Sequence, residues 1–148
     1  MILSPVEKNS SDFDLVVSLD AYIFDSPWTR EQWSGEISNE SNHIFLATTS
    51  LEDGIPSGFI CYSVHGDIME LHKIGVSPEF RSQGIASQML DFIIKEGKRL
   101  QVNNLLAEVA ITNKPAIKLY RKFAFHKISV RKRYYSGSID AILLQKEI

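Results

Sequence analysis

Apolar and polar positions near the N-terminus alternate with helical rhythm. Ser11 to Phe24 carries Phe13, Val16 and Val17 at helical spacing, Asp20-Ala21 continues the rhythm, and Ser11 stands where an N-cap belongs, so a first helix is predicted there. Pro27-Trp28 interrupts it. Thr29-Arg30-Glu31-Gln32 has the form of a capping box and opens a second helix carrying Trp33 and Ile37. The period then changes. Ile44 to Thr48, Gly58 to Val64 and Ile68 to Val76 read as strands, with turns at Glu52-Asp53-Gly54 and Gly66-Asp67, which makes an antiparallel meander. Ile85, Met89, Phe92 and Ile93 share one face of a helix that ends near Gly97. Leu105 to Val109 is a strand, Asn113 caps a helix with Pro115 in its first turn running to Lys122, and Phe125 to Val130 and Ala141 to Leu144 are closing strands joined through Tyr134-Tyr135-Ser136-Gly137.

The β-α-β-α-β order of the second half demands parallel pairing in the middle of a mixed, mostly antiparallel sheet flanked by helices. The expected fold class is therefore α/β (α+β), as one domain over residues 1–148, with no repeat and no internal linker. Size and composition agree: 148 residues, 44% hydrophobic and 23% charged, describe an ordinary globular chain able to bury a core. No apolar run approaches the ~20 residues of a membrane span, and no signal peptide is expected, because the start lacks a basic segment and a long apolar stretch. The single cysteine, Cys61, forms no internal disulfide. Together these point to the cytoplasm and to no membrane partner.

Charge is unevenly spread. Residues 1–70 hold twelve acidic and two basic residues, whereas residues 71–148 hold six acidic and fourteen basic ones. Solvated faces account for such a split, and so does a C-terminal half that holds an anion while the acidic half faces a basic substrate.

The segment Val76-Ser77-Pro78-Glu79-Phe80-Arg81-Ser82-Gln83-Gly84-Ile85-Ala86 carries the clearest chemistry. It runs strand, proline turn, glycine-containing loop, helix start. A helix N-terminus offers unpaired amides and partial positive charge, and the small Gly84 and Ala86 leave an anion room, so the segment reads as a pyrophosphate cradle. It is no P-loop, since no Lys-Ser or Lys-Thr follows the glycine, and no dinucleotide fingerprint, since two of three glycines are missing.

Arg81-Ser82-Gln83-Gly84-Ile85-Ala86 resembles the Arg-x-x-Gly-x-Gly/Ala signature of the GNAT N-acetyltransferase family. Ile74-Gly75-Val76-Ser77-Pro78 precedes it, and Asn113, Ala116, Leu119, Tyr120, Phe123 and Phe125 follow at the family's spacing, so the resemblance spans nearly the whole chain. Ser26-Pro27-Trp28-Thr29 with Trp33, Glu70-Leu71, and Arg133-Tyr134-Tyr135 with Asp140-Ala141-Ile142 are similar to the RimI group, which acetylates a ribosomal-protein N-terminal alanine. Two positions depart from the family pattern: Ala124 stands where Gly is usual, and Ala110 where Arg is frequent.

The resemblance implies acetyl-CoA as co-substrate; no metal is expected, on residue spacing alone. Pantetheine would add like an extra strand to Ile74, Gly75 and Val76, in a sheet splayed between its central parallel strands. The pyrophosphate would sit on the amides of Gln83, Gly84, Ile85 and Ala86 beside Arg81 and Ser82, and Asn113 would contact the cofactor beyond the thioester. The implied target is the N-terminal alanine of the eighteenth small-subunit ribosomal protein, and a basic target suits the acidic half; a GNAT enzyme acting on lysine side chains or small amines, and a catalytically silent acetyl-CoA-binding module, stand as alternatives. A protein α-amine has a pKa of about 8, so a base must take a proton and an acid must protonate the leaving thiolate. Glu108 matches the group's proposed base, acting through water, and Tyr120 its proposed acid, with the oxyanion held by a backbone N–H near Ile74.

Other readings stand beside these. Glu108 also fits a solvated strand residue, and Tyr120 a core tyrosine. Glu70 is a reserve base on the preceding strand, and His72 a substrate-side or structural residue. Trp28 and Trp33 are core anchors by default; alternatively Asp25 to Trp33 walls a peptide groove, with Tyr134 and Tyr135 opposite. Cys61 fits a small core residue better than an acetyl carrier. His43, His65 and His126 show no metal-site spacing. Arg131-Lys132-Arg133 reads as a solvated strand edge or a contact to cofactor phosphates or the ribosome, and no direct nucleic-acid site is expected.

Overall fold

A computed structural model describes residues 1–148 apart from positions 51, 53 and 136. The chain runs β1 (Ile2–Pro5), α1 (Ser11–Ile23), α2 (Arg30–Ser38), β2 (Asn42–Thr48), β3 (Pro56–His65), β4 (Ile68–Val76), a 3₁₀ turn (Pro78–Phe80), α3 (Ile85–Arg99), β5 (Asn104–Ala110), α4 (Lys114–Lys122), β6 (His126–Tyr135) and β7 (Ile139–Glu147). Seven strands share one sheet in the order β1-β2-β3-β4-β5-β7-β6. The β4–β5 pair is parallel, and the β1–β2, β2–β3, β5–β7 and β6–β7 pairs are antiparallel. No described helix is long and apolar enough to cross a membrane.

Backbone contacts divide the chain into two compact units, one of Met1–Ser63 with Lys73–Phe92, the other of Val64–His72 with Ile93–Ile148. In the first, Phe13, Val16 and Leu19 from α1 and Trp33 from α2 bury against Ile44, Leu46, Phe59 and Cys61 of β2 and β3. The period of three to four on α1 and of two on the strands is what brings these side chains to one core. In the second, Leu105, Ala107 and Val109 of β5 are buried together with Ile117 and Tyr120 of α4 and Ala141 and Leu144 of β7.

Several boundaries differ from the sequence reading for local reasons. Ser10, not Ser11, caps α1: its Oγ accepts the Phe13 N–H at 3.2 Å and donates to the Glu7 carbonyl at 2.6 Å. The capping box at α2 is complete, with Gln32 N–H to Thr29 Oγ1 at 3.1 Å and Thr29 N–H to Gln32 Oε1 at 2.7 Å. β1 has no signal of its own and exists through its register with β2, Ile2 opposite Thr48. β6 extends to Tyr135, so Tyr134 and Tyr135 lie in the strand rather than in a connection. The expected turn at Glu52-Asp53-Gly54 and the joint at Tyr134-Tyr135-Ser136-Gly137 each include a position outside the described residues, Asp53 and Ser136.

Candidate functional site

In the first unit, β4 ends at Ile74-Gly75-Val76 and the chain turns sharply. Buried Ser77 donates its N–H to the Ser57 carbonyl at 2.9 Å, and Phe80 N–H returns to the Ser77 carbonyl at 2.9 Å. Arg81 Nε donates to the Val76 carbonyl at 3.3 Å, which folds the guanidinium back over the strand end. Ser82 and Gly84 both take left-handed backbone, at φ +61° and +79°. Gln88 N–H is the first helical donor, reaching the Gly84 carbonyl at 3.0 Å. The first-turn amides from Ile85 onward therefore have no intrahelical acceptor, and residues Arg81, Ser82, Gln83 and Gly84 are exposed to solvent. A Cβ on Gly84 would meet nothing within 4 Å, so it is the backbone angle rather than crowding that calls for glycine there. Crowding acts instead at Gly58, where a Cβ would lie 2.5 Å from the Gly75 carbonyl oxygen.

The same unit holds a polar centre under aromatic rings. Asp20 of α1 is fully buried. Its Oδ2 accepts the Trp33 Nε1–H at 2.8 Å, the Trp28 backbone N–H at 2.9 Å and the Lys73 ammonium at 3.0 Å, while Oδ1 lies 2.7 Å from Lys73 Nζ. Lys73 Nζ is 4.7 Å from the ring centres of both Phe24 and Trp28. Burial pushes the Lys73 ammonium below its ordinary pKa, against the opposing pull of Asp20. Trp28 leans on Trp33, centroids 4.7 Å apart, and Trp33 meets Phe59 edge-on at 5.4 Å. Trp33 is thus a core anchor, fully buried, and Trp28 is half-buried above it.

The second unit gathers titratable groups on β5, α4 and β6. Glu108 of β5 keeps a quarter of its side chain exposed and pairs with Arg131 Nη2 at 3.3 Å. Register explains the reach: Leu143 of β7 stands opposite both Glu108 and Ser129, so Arg131 lies two residues along the next strand. Burial raises the Tyr135 hydroxyl above its ordinary pKa, and the neighbouring Glu108 charge adds to this. Tyr134 is exposed, meets Tyr135 edge-on at 5.1 Å, and carries the Arg131 guanidinium 5.0 Å from its ring centre. A bulge between Arg131 and Tyr135 throws Lys132 and Arg133 outward. There the Arg133 N–H and Lys132 Nζ bind Asp140 at 2.9 and 3.1 Å and hold its carboxyl below the ordinary value.

Tyr120 is fixed by the end of α4. Phe125 N–H donates to the Tyr120 carbonyl at 3.0 Å and Ala124 N–H to the Arg121 carbonyl at 2.9 Å, with Ala124 at φ +64°. This is a Schellman ending, and its apolar contact is the Tyr120 ring against Phe125, centroids 5.3 Å apart. Tyr120 is buried, which pushes its hydroxyl pKa well up, with a smaller contribution from Tyr135. At the other end Asn113 Oδ1 accepts the Ala116 N–H at 3.3 Å, so this side chain caps α4.

Two groups of predicted residues are therefore each assembled within a unit: Ile74 to Val76 with Arg81 to Ala86 and Trp28 in the first, Glu108, Tyr120, Tyr134 and Tyr135 in the second. Glu70 and His72 belong to the second unit, where exposed Glu70 stands opposite Leu106 rather than Glu108. Arg131, Lys132 and Arg133 lie exposed on β6, the edge strand of the sheet, and there Arg131 pairs with Glu108 while Lys132 and Arg133 take Asp140. No sequence motif marks the Asp20–Lys73 pair. Its one sequence signal is an acidic residue on the apolar face of α1, four positions after Val16.

A model of the acetyltransferase (GNAT) family matches residues 10–125. The N-alpha-acetyltransferase RimI of Mycobacterium tuberculosis is 28% identical over 144 residues, covering 93% of this chain and 87% of that protein. The crystal structure of the ribosomal-protein-S18-alanine N-acetyltransferase from Escherichia coli superposes with a TM-score of 0.88 at 25% identity, over 99% of this chain and 94% of that one. Arabidopsis thaliana NAA60 in complex with acetyl-CoA shares the fold, with a TM-score of 0.84 at 18% identity over 99% and 98% of the two chains. With its seven-stranded mixed sheet and a family match over most of its length, the chain belongs to the acetyltransferase (GNAT) family.

Proposed function

We propose that this protein is a cytoplasmic N-terminal acetyltransferase that moves an acetyl group from acetyl-CoA to a protein α-amine, in the first instance the N-terminal alanine of ribosomal protein bS18. The observation that carries the reading is the exposed loop Arg81–Gly84, left-handed at Ser82 and Gly84, which leads into first-turn amides of α3 that have no intrahelical acceptor. That is an anion site of the kind a pyrophosphate needs, and it supports acetyl-CoA as the donor. The names and bound ligand of the similar proteins point the same way.

Acetyl-CoA supplies the acetyl group as a thioester. The chain's own residues do the rest. Ser82, Gln83, Gly84, Ile85 and Ala86 present amides to the phosphates with Arg81 beside them, and Ile74, Gly75 and Val76 offer strand edges to the pantetheine arm. Asn113 contributes its amide in addition to capping α4. Glu108 takes a proton from the acceptor ammonium, directly or through water, and Arg131 sets the carboxylate's orientation. Tyr120 gives its hydroxyl proton to the departing thiolate. Burial raises its pKa, so the hydroxyl stays protonated across the working pH range. Trp28, Glu70, His72, Tyr134 and Tyr135 contact the acceptor chain.

The test uses two peptides. One copies the N-terminus of bS18, the other has a blocked N-terminus and an internal lysine. Both are incubated with protein and acetyl-CoA while free thiol and peptide mass are followed. Acetylation of the free α-amine alone supports the proposal. Acetylation of the lysine peptide alone, or thiol release with neither, overturns it.

A further inference from the structure

Asp20 is the only acid among the described residues that is fully buried, and its cation, Lys73, keeps about an eighth of its side chain exposed, 12%. Buried ion pairs are poor sources of stability, because the desolvation of two charges consumes most of their attraction, and an apolar pair of similar volume commonly serves the fold equally well. What an apolar pair cannot do is hold a backbone amide. The Asp20 carboxylate binds the Trp28 N–H, the Trp33 indole and the Lys73 ammonium at 2.9, 2.8 and 3.0 Å. One carboxylate thus ties together α1, the connection after it, α2 and β4. The residue after Lys73 is Ile74, where the strand assigned to pantetheine begins. The ammonium also sits under the Trp28 ring, which fixes that ring from below.

We propose that the Asp20–Lys73 pair is a positioning element that sets the Trp28 segment as a wall for the acceptor chain, and so governs recognition of the acceptor rather than of acetyl-CoA. This rests on the N-terminal acetylation reading above. Neither side chain touches the reacting atoms; both act through Trp28.

The test is the double variant Asp20→Leu/Lys73→Met, with Lys73→Gln measured beside it. The expected result is a cooperative melt, acetyl-CoA affinity by calorimetry within about twofold of wild type, and an acceptor-peptide KM raised about tenfold or more with kcat held, the split expected when a positioning contact is lost. Trp28 and Trp33 are the chain's two tryptophans, so their emission reports the rearrangement without any turnover, and a shifted emission maximum is expected. An unchanged acceptor KM in a folded variant overturns the proposal, as does an equal loss of affinity for both ligands. If both variants fail to fold, the pair is scaffold and the proposal is likewise overturned. Wild-type protein that binds acetyl-CoA yet modifies no α-amine overturns the acetylation reading and this proposal with it, whereas active wild type with an unchanged acceptor KM in the folded variants overturns this proposal alone.

Discussion

Replacing Ala124 by glycine isolates a strain that the fold tolerates at the end of α4. Ala124 occupies the left-handed position of the Schellman ending at φ +64°, where its N–H must reach the Arg121 carbonyl and the next amide the Tyr120 carbonyl. An L-residue in that region costs about 1–2 kcal/mol, and glycine removes the cost. Glycine also gives the unfolded chain more freedom, which costs about 0.4–1 kcal/mol. The net expectation is a gain of about 0.5–1 kcal/mol. For a chain of this length that is a rise in melting temperature of about 1–4 °C. Equilibrium urea unfolding reads it directly: the midpoint moves up while the slope m stays fixed. Because the Phe125 N–H still donates to the Tyr120 carbonyl in the glycine variant, turnover stays unchanged. A midpoint that is unmoved or lower refutes the reasoning, since it means either that Ala124 carries no strain or that the ending does not form in solution.

Tyr120→Phe is expected to lower kcat by about a hundredfold or more with acetyl-CoA affinity unchanged, in stopped-time thiol assays, because the acid acts only as charge develops on the thiolate. Burial raises the Tyr120 pKa above 10, so its proton is retained through pH 10 and lost only beyond it; an alkaline fall in kcat with a midpoint near 9 that vanishes in the Phe variant contradicts this assignment. Glu108→Gln is expected to cost on the order of a hundredfold in kcat/KM, and a larger loss from Glu70→Gln moves the base to β4. Gly84→Ala places a Cβ at φ +79°, so it lowers stability by about 1 kcal/mol or more and weakens acetyl-CoA binding in calorimetry; unchanged values for both remove the cradle argument.

Features written in a few adjacent residues were legible before any coordinates. Thr29 and Gln32 close their capping box, Asn113 caps α4, and the Arg81–Ala86 loop opens α3, because each depends only on side chains three or four positions apart. The strand periodicities placed β2 to β5 within a residue or two for the same reason. What escaped depends on distant partners. β1 has four residues and becomes a strand only by pairing with β2. Tyr134 and Tyr135 join β6 because Tyr135 pairs with Ile139 of β7 beyond the register shift. Arg131 meets Glu108 only once β7 lies between their strands. Lys73 is 53 residues from Asp20, and nothing near it in the chain announces a buried partner. At Gly84 the structure adds a second demand to small size, the left-handed backbone at φ +79°.

Isothermal calorimetry of the wild-type chain with acetyl-CoA asks the central question without an acceptor or a turnover. If first-turn amides of α3 receive the donor's phosphates, binding is saturable at one site per chain and weakens as salt competes for them. No heat with either acetyl-CoA or free CoA contradicts the account at its root.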